Sequence, residues 1–384
     1  MPTLPSTWTR LPAHALEPSL ARTKDGTLHL AWRDGARNLW HTVLAATAPP
    51  VKIAEGGASQ PELLILSDGA LQVFFIGAAG SLSAATSKDC GATWDVLSNP
   101  GHPRAASIAA VAEREGKTLV AFTEAGQVHL QSGLGATQKF ETIRQGSCCA
   151  DQLRLVLDGE SSEAWLAWRQ TAAKDAGLFV KAVKPASGAT RPAPGKALQM
   201  ALSPRIGAPG VYLAWCAGNG VKLWNVRGGE ALTVAPGLGA RNACLAPAPD
   251  GRLWILWINA NHTVSAARSN KTLTRFSSPY ALGKPAAAAG LQRLVAEASP
   301  GLLDVFADGF HTRLYPNLEL RARADGVIVT DAGDPVEGAE VEIDGKKLKT
   351  DAKGLAAHPV AQGKLTPVKA TMTAYAPASV VLKR

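Results

Sequence analysis

The sequence lacks several features that would place it in a class at once. It has no uncharged apolar run approaching the roughly 18–20 residues that a membrane-spanning helix needs. Charged residues make up only 18% of its 384 residues, which is low for a coiled coil. The first residues, Met1-Pro2-Thr3-Leu4-Pro5, show no basic segment followed by an apolar stretch, so no signal peptide is visible. We therefore expect neither a transmembrane protein nor a coiled coil.

Cysteine is also scarce and oddly placed. The five cysteines include no CxxC pair, which argues against a zinc site and against a disulfide framework. Cys148 and Cys149 are adjacent, and neighbours in sequence rarely bridge without strain, although the sequence leaves their state open. Phosphate-loop, GxSxG and HExxH motifs are absent, and we predict no metal and no cofactor.

The composition that remains favours short strands. Glycine (37) and proline (25) are frequent, and 46% of the residues are hydrophobic, which suffices for a packed core. The net charge is +9, but the basic residues are spread along the chain and are not interleaved with aromatics, so no nucleic-acid partner is expected.

An aromatic residue closes an apolar strand seven times, at intervals of 42 to 49 residues. A turn such as Asp25-Gly26 or Asp250-Gly251 precedes most of these strands, and further strands flank them. Four short strands per unit of about 45 residues are typical of a propeller blade. Unrelated hairpins in a sandwich would not keep seven aromatics and their turns in phase. We call these residues the wedge aromatics and expect them to fill the space between neighbouring blades: Trp32, Phe75, Phe122, Trp168, Trp215, Trp257 and Phe306.

The last unit, Leu291 to Tyr315, has no visible fourth strand. Thr7-Trp8-Thr9-Arg10-Leu11 alternates in polarity and precedes the first unit, so we expect it to complete the seventh blade and to close the ring. The sequence thus predicts an all-β fold, with a seven-bladed β-propeller over residues 1–318.

The aromatic period stops after Pro316, and residues 319–384 read as a separate small β domain. The run Gly333-Asp334-Pro335-Val336-Glu337-Gly338, followed by Gly345 and by Thr350-Asp351-Ala352-Lys353-Gly354, resembles the carboxypeptidase regulatory-like (prealbumin-like) β-sandwich. The resemblance implies a non-catalytic appendage.

One motif points to a family. The segment Ser87-Lys88-Asp89-Cys90-Gly91-Ala92-Thr93-Trp94 fits the Asp-box pattern S-x-D-x-G-x-T-W, and the chain therefore resembles the sialidase-like BNR-repeat propellers. In that pattern an aspartate accepts backbone N–H bonds, glycine permits a positive φ and tryptophan packs into the blade. We expect Ser87, Asp89, Gly91, Thr93 and Trp94 to have a structural role at the blade periphery.

The same resemblance implies what a sialidase would need: an arginine triad for a substrate carboxylate and a tyrosine nucleophile activated by a base. The family's early Arg-Ile-Pro is missing from residues 1–86. Arg205, Arg241 and Tyr315 are the only candidates that we assign to such a site. We therefore favour a protein without catalytic activity.

A ligand of a propeller binds where strand ends converge around the central funnel. Polar residues at the start of each first strand, and just after the wedge aromatics, are expected there. The predicted binding residues are Glu62, Arg104, Asp151, Arg205, Arg241, Arg33 and Arg169, with Glu17, Ser19, Gln60, Ser107, Gln152, Asn242, Gln292, Glu124 and Asp308 nearby. Alternatively, these groups satisfy one another and ordered water.

Histidine recurs on third strands, at His41, His129, His262 and His311. Whole blades separate these residues, so we expect surface positions rather than a metal ring.

These observations favour a recognition or assembly module that binds a glycan or a protein partner at a cell surface or in an extracellular assembly, where the C-terminal domain could dock. The alternative is a divergent sialidase-like glycoside hydrolase (exo-α-sialidase). The domain types suggest an extracellular or periplasmic location.

Overall fold

A computed structural model describes residues 8–383, except 12–14, 45–47, 99–103, 114–115, 135–139, 145–148, 173, 195–198, 238, 285–292, 361–362 and 364. The described part is built of β-strands, and its one helical segment is a 3-10 turn at Ala78–Gly80. The all-β prediction is confirmed. No helix in these ranges has the length and apolar character needed to cross a membrane.

The described strands before residue 315 form seven antiparallel four-stranded sheets. In the first six sheets the strands pair in chain order. Sheet 1 contains β2 (Leu16–Arg22), β3 (Leu28–Arg33), β4 (Leu39–Val43) and β5 (Val51–Ala54); sheet 2 contains β6 (Ser59–Ile65), β7 (Leu71–Ile76), β8 (Leu82–Ser87) and β9 (Asp95–Ser98); sheet 3 contains β10 (Ala105–Ala112), β11 (Thr118–Glu124), β12 (Gln127–Ser132) and β13 (Glu141–Arg144). Sheet 4 contains β14 (Ala150–Leu157), β15 (Ala164–Gln170), β16 (Gly177–Lys184) and β17 (Thr190–Pro194); sheet 5 contains β18 (Met200–Pro204), β19 (Val211–Ala217), β20 (Gly220–Asn225) and β21 (Leu232–Pro236); sheet 6 contains β22 (Arg241–Pro247), β23 (Leu253–Ile258), β24 (Val264–Arg268) and β25 (Tyr280–Gly283).

Sheet 7 joins the two ends of this region. It contains β26 (Leu294–Glu297), β27 (Leu303–Ala307) and β28 (Phe310–Leu314), and its fourth strand is β1 (Thr9–Arg10). Thr9 pairs with His311 and Arg10 with Phe310, so the N-terminal strand occupies the place predicted from its alternation. The indole of Trp8 also donates a hydrogen bond to the carbonyl oxygen of Leu282 (2.7 Å). An open edge is thereby covered.

Apolar residues between neighbouring sheets close the seven sheets into a ring. One apolar cluster fills the space between each pair of consecutive sheets from sheet 1 to sheet 7, and another cluster fills the space between sheet 7 and sheet 1. Every wedge aromatic is buried, with at most 6% of its surface exposed. Because alternate side chains of a strand point to opposite faces, each second strand packs against both neighbouring sheets.

Six wedge aromatics face the preceding sheet, but Phe306 does not. Trp32 of sheet 1 packs in the cluster shared with sheet 7, and Phe306 lies in that same cluster. Leu303, Val305 and Ala307 of the same strand fill the space towards sheet 6. Phe306 is therefore one residue out of phase, and the prediction of seven equivalent aromatics is wrong at this position.

Eight further strands follow. Their first sheet contains β29 (Glu319–Ala322), β30 (Val327–Asp331), β31 (Asp334–Pro335) and β34 (Leu355–Ala356); the second contains β32 (Glu340–Ile343), β33 (Lys346–Lys349), β35 (Leu365–Thr371) and β36 (Ala378–Lys383). One core, which includes Leu318, Val329, Val341 and Val368, belongs to these strands alone. A turn with positive φ at Asp344 (49°) and Gly345 (78°) joins β32 to β33.

Buried charges attach these C-terminal strands to sheet 6. Asp331, fully buried, accepts a hydrogen bond from Arg268 and another from the Tyr375 hydroxyl (2.9 Å). Arg252 lies 2.7 Å from the carboxylate of Asp334. The guanidinium of Arg268 also stacks between the rings of Trp254 and Tyr375. Arg252 precedes a second strand and Arg268 ends a third strand, so the contact lies at one end of the sheet.

The turn that carries the Asp-box pattern joins β8 to β9 at the periphery of sheet 2. The carboxylate of Asp89 accepts hydrogen bonds from the Ser87 hydroxyl (2.7 Å), the Thr93 hydroxyl (2.6 Å) and the Thr93 amide (2.9 Å). The Thr93 hydroxyl and amide and the Ser87 hydroxyl lower the pKa of Asp89 to about 2. The Trp94 indole donates to the Gly91 carbonyl (3.1 Å). These hydrogen bonds hold the turn between β8 and β9 together.

A buried histidine pair supports this turn from sheet 1. Nδ1 of His29 lies 3.0 Å from Nε2 of His41, and the His41 ring packs edge-on against Trp94. A Cβ atom at Gly91 would lie 2.0 Å from His41, and Gly91 has a φ of +90°, so only glycine fits. His129 is buried as well, against Phe122. The predicted surface positions of His41 and His129 are therefore wrong.

We expect this histidine pair to make the fold sensitive to acid. Burial, and then the neighbouring His29, lower the pKa of His41 to about 4. The unfolded chain takes up a proton near pH 6.5 whereas the folded chain does not, so stability is complete above pH 6.5 and is lost as the pH falls towards 4. The loss at His41 is on the order of 3 kcal/mol. Denaturant unfolding at pH 7.5, 6 and 4.5 measures it.

His41→Gln is the matched variant, because glutamine keeps a neutral hydrogen-bonding group without titrating in this range. Its free energy of unfolding should fall less steeply between pH 6.5 and 4.5 than that of the wild type. Equal slopes for the two proteins would contradict the assignment.

The described cysteines are in two states. Cys149 is disulfide-bonded, whereas Cys90, Cys216 and Cys244 are free thiols. Cys148 lies outside the described residues. The sequence left the state of Cys148 and Cys149 open, and the structure has Cys149 in a disulfide bond.

Candidate functional site

The first strands of the seven sheets surround a central channel. They are β2, β6, β10, β14, β18, β22 and β26, and each contacts the next in a closed cycle. Residues from all seven line a cavity of about 560 Å³. This volume lies within the range of ~300–1,000 Å³ that is common for small-ligand sites. We call the end at which the first strands begin the mouth, and the opposite end the far end.

A β-bulge occurs near the mouth in most first strands. The register shifts between Leu16 and Ser19, and equivalent shifts occur in sheets 2, 3, 4 and 6. The bulged residue has a left-handed backbone in four sheets, with φ between 49° and 55° at Glu17, Gln60, Gln152 and Asn242. Non-glycine residues rarely adopt this conformation, and bulges of this kind are common beside binding sites, where they redirect side chains.

Several predicted ring residues connect neighbouring sheets. Glu17 accepts a hydrogen bond from the Gln60 amide (2.7 Å), and the Gln60 side chain donates to the Ala106 carbonyl (2.9 Å). The Ser19 hydroxyl accepts from the Leu63 amide (2.9 Å), and Ser107 accepts from the Leu153 amide (3.3 Å). These four polar side chains therefore hold the ring together through backbone groups of the next sheet.

Beyond the bulge, each first strand places one residue at a similar level in the channel, although Ala296 of sheet 7 packs towards the preceding sheet because Phe306 is displaced by one residue. Each of these residues pairs with the residue immediately before a wedge aromatic. The set is Ser19, Glu62, Ala109, Arg154, Ala201, Cys244 and Ala296, and all seven line the cavity. Five of the seven side chains are small and leave the centre open, so the polar character of this level comes from Glu62 and Arg154.

A third charge enters from sheet 7. Arg293 immediately precedes β26 and lines the same cavity as Glu62 and Arg154. Burial raises the pKa of Glu62, although Arg154 and Arg293 oppose this rise. Burial, and also the positive charge of Arg154, lower the pKa of Arg293 against the opposing effect of Glu17. The three groups therefore share one electrostatic environment.

Two arginine–carboxylate pairs stand at the mouth. Arg169 donates to both oxygens of Asp151, at 2.7 and 2.5 Å, and hydrogen bonding to Asp151 raises the pKa of Arg169. Arg33 Nε lies 3.0 Å from the carboxylate of Glu17. Although burial opposes it, bonds from Gln60 and Arg33 lower the pKa of Glu17. All four side chains belong to the predicted ring, and they lie where first strands begin and second strands end.

The remaining predicted binding residues at the mouth are Arg104, Arg241 and Gln292. Arg241 begins β22 and donates to His262 Nδ1 at 2.6 Å. Arg104 precedes β10 and is exposed. Gln292 lies outside the described residues.

Arg205 and Tyr315 are not at the mouth. Arg205 follows β18, which ends at Pro204, so its predicted position at the start of a first strand is wrong. Its guanidinium donates to the carbonyl oxygens of Gly251, Pro209 and Lys271. Tyr315 follows a third strand, is 41% exposed and lies beside Arg313 at the far end. Arg241 is thus separated from both by the length of a first strand, roughly 16 Å for five residues.

Arg154 and Arg293 were missed by the sequence analysis. Counting alternate residues from Asp151 leads to Leu153, but the bulge inserts one residue and turns Arg154 to the channel instead. A polar residue that precedes proline, as in Glu17-Pro18 and Gln60-Pro61, is a usable signal for this bulge in sheets 1 and 2.

A second cavity, of about 490 Å³, opens beside the channel between sheets 1, 2 and 3. Gly57, Gly77 and Gly80 form much of its wall, and Arg37 is its one charged lining residue among those described. A Cβ atom at Gly57 would lie 2.8 Å from Ala78, so the wall tolerates no side chain there.

Comparisons with known proteins define the fold. No protein-family model and no curated protein matches the sequence. Among solved structures, a lectin from Burkholderia pseudomallei is 12% identical, with a TM-score of 0.53 over 96% of this chain and 99% of the lectin. A chain of a mitotic checkpoint complex is 13% identical, with a TM-score of 0.53 over 81% of this chain and 94% of its own. The fucose-recognising Aleuria aurantia lectin, a six-bladed β-propeller, is 12% identical, with a TM-score of 0.46 over 72% of this chain and all of the lectin. This chain has the same fold as the Burkholderia pseudomallei lectin and the chain of the mitotic checkpoint complex.

Proposed function

We propose that residues 1–318 form a seven-bladed β-propeller, that residues 319–384 form a β-sandwich, and that the propeller binds a glycan at the mouth of its channel without catalysing a reaction. The cavity of about 560 Å³, with Glu62, Arg154 and Arg293 among small side chains, is the observation that carries the proposal. Carboxylate and guanidinium groups are good partners for sugar hydroxyls and acidic groups. The lectin from Burkholderia pseudomallei, which has the same fold, supports glycan as the ligand class.

The placement of the C-terminal strands supports the mouth as the binding face. Arg252 and Arg268, which hold Asp331 and Asp334, lie at the far end of sheet 6. The C-terminal domain therefore leaves the mouth accessible, and it could attach the propeller to a larger extracellular or periplasmic assembly.

The sialidase alternative has less support. A nucleophilic tyrosine must reach the same substrate as the arginines that bind its carboxylate. Tyr315 and Arg205 lie at the far end, whereas Arg241 lies at the mouth. Turnover of a fluorogenic sialoside that is lost in Tyr315→Phe would favour this alternative over ours.

A protein ligand is the second candidate, because a chain of the mitotic checkpoint complex has the same fold with an equal TM-score. A glycan array separates the two. We expect the wild type to bind a defined set of glycans, with binding reduced at least tenfold in Arg154→Gln and Glu62→Gln. Arg321→Gln, an exposed arginine on β29, is the control for the change of charge and should bind as the wild type does. An array without glycan binding would contradict the proposal.

A further inference from the structure

The charges of the channel and its mouth, taken together, do not balance. Four charged residues line the cavity: Glu62, Asp151, Arg154 and Arg293. Asp151 is already held by both nitrogens of Arg169. Glu62 is thus the one lining carboxylate left for Arg154 and Arg293. When the Asp151–Arg169 and Glu17–Arg33 pairs at the mouth are counted with them, these residues carry one positive charge in excess.

Neither arginine is well compensated by the protein. Arg154 donates one of its five N–H groups to the Leu153 carbonyl (2.8 Å), and no carboxylate among the described residues forms an ion pair with it. The nearest acid to Arg293 is Glu17, at 3.8 Å, but Glu17 already accepts from Arg33 and from the Gln60 amide. The two guanidinium groups also repel each other, since the charge of Arg154 lowers the pKa of Arg293. A bound anion would relieve this repulsion.

The open space lies where an anion would have to bind. Five of the seven residues at the level of Glu62 and Arg154 are alanine, serine or cysteine. Planar guanidinium groups match a carboxylate with two parallel hydrogen bonds. A ligand with two negative charges would be repelled by Glu62, whereas a ligand with one charge neutralises the excess.

We infer that the channel binds the carboxylate of a monoanionic sugar acid between Arg154 and Arg293, with Glu62 accepting a hydrogen bond from a hydroxyl group of the same sugar. This inference rests on the proposed glycan-binding function and names its ligand class. A sugar acid can be part of a glycan or a free metabolite, and both present the same carboxylate and hydroxyl groups.

Titration calorimetry with methyl glucuronide and methyl glucoside at pH 7 tests the inference, because the two probes differ in the carboxylate alone. We expect the glucuronide to bind at least tenfold more tightly. Arg154→Gln, or Arg293→Gln if the first variant does not fold, should remove this preference. Glu62→Gln should weaken the binding of both probes, because a neutral amide accepts a weaker hydrogen bond from the sugar hydroxyl than a carboxylate does. Arg321→Gln should retain the preference. Free glucuronate and an oligomeric glucuronan distinguish a free metabolite from a glycan unit.

Equal affinity for the two probes, or a preference that Arg154→Gln and Arg293→Gln retain, would overturn the inference. Absence of glucuronide binding would overturn it too. The proposed function can stand when this inference falls. If the array shows binding of neutral glycans and Glu62→Gln weakens that binding, the channel binds glycans but not through a carboxylate. If no glycan of either kind binds, both proposals fall.

Discussion

Replacing Asp304 by alanine should lower the free energy of unfolding by about 3–5 kcal/mol. Asp304 is fully buried in sheet 7 and accepts hydrogen bonds from Arg22 (2.5 Å), His311 (2.8 Å) and Arg313 (2.9 Å). Arg22 comes from sheet 1, so this carboxylate joins the two sheets at which the ring closes. Its removal leaves the largely buried Arg22 with one carboxylate, Glu297 (2.5 Å), instead of two, and it takes the shared acceptor from His311 and Arg313, which is the costly way to break a buried network.

Denaturant unfolding of Asp304→Ala and of a control, Asp325→Ala, measures this effect. The pair between Asp325 and Arg323 is exposed, so its loss should cost no more than about 1 kcal/mol. Equal stability of the two variants would show that Asp304 does not hold sheets 1 and 7 together.

Asp331→Ala should release the C-terminal domain from the ring while each part retains its own core. The substitution leaves Arg252 and Arg268, both about 4% exposed, without the carboxylate that they share. The cost is again about 3–5 kcal/mol, but it falls on the contact between the two parts. We expect calorimetry to show two separate transitions in the variant and faster proteolysis near residues 315–318.

Asp334→Ala is the matched variant that should weaken the same contact by a smaller amount. Asp334 is more exposed than Asp331 and lies 2.7 Å from Arg252, so its loss should weaken the contact less. If Asp331→Ala unfolds in one transition at the wild-type temperature, the buried charges do not fix the domain, and the accessible mouth would need another explanation.

The regular period of the sequence was sufficient to predict the strands of each sheet, but not the face to which every side chain points. An aromatic that recurs every 42–49 residues, together with turns in phase, indicates the second strand of each unit. The phase of Phe306 could not be predicted, because one residue of displacement along a strand reverses the face and leaves the spacing almost unchanged. Leu303 and Val305 are as apolar as Phe306, so composition does not reveal the reversal.

The repeat was also sufficient to predict part of the candidate site, but not the residues whose position depends on local irregularities. Asp151, Arg33 and Arg169 lie at strand ends and Glu62 lies within β6, and the repeat assigns all four to the expected ring. Arg154 depends on a bulge, and Arg293 depends on where the chain enters sheet 7. Local irregularities of this kind are set by contacts between sheets, such as the bond from the Gln60 amide to Glu17, which a repeat pattern does not contain.

A crystal structure with the glycan selected on the array tests the central claim most directly, namely that the channel mouth is the recognition site. We predict density for a sugar in the cavity lined by the seven first strands, within hydrogen-bonding distance of Arg154, Arg293 or Glu62. A sugar bound instead in the cavity beside Arg37, or on the C-terminal strands, with an empty channel, would contradict it.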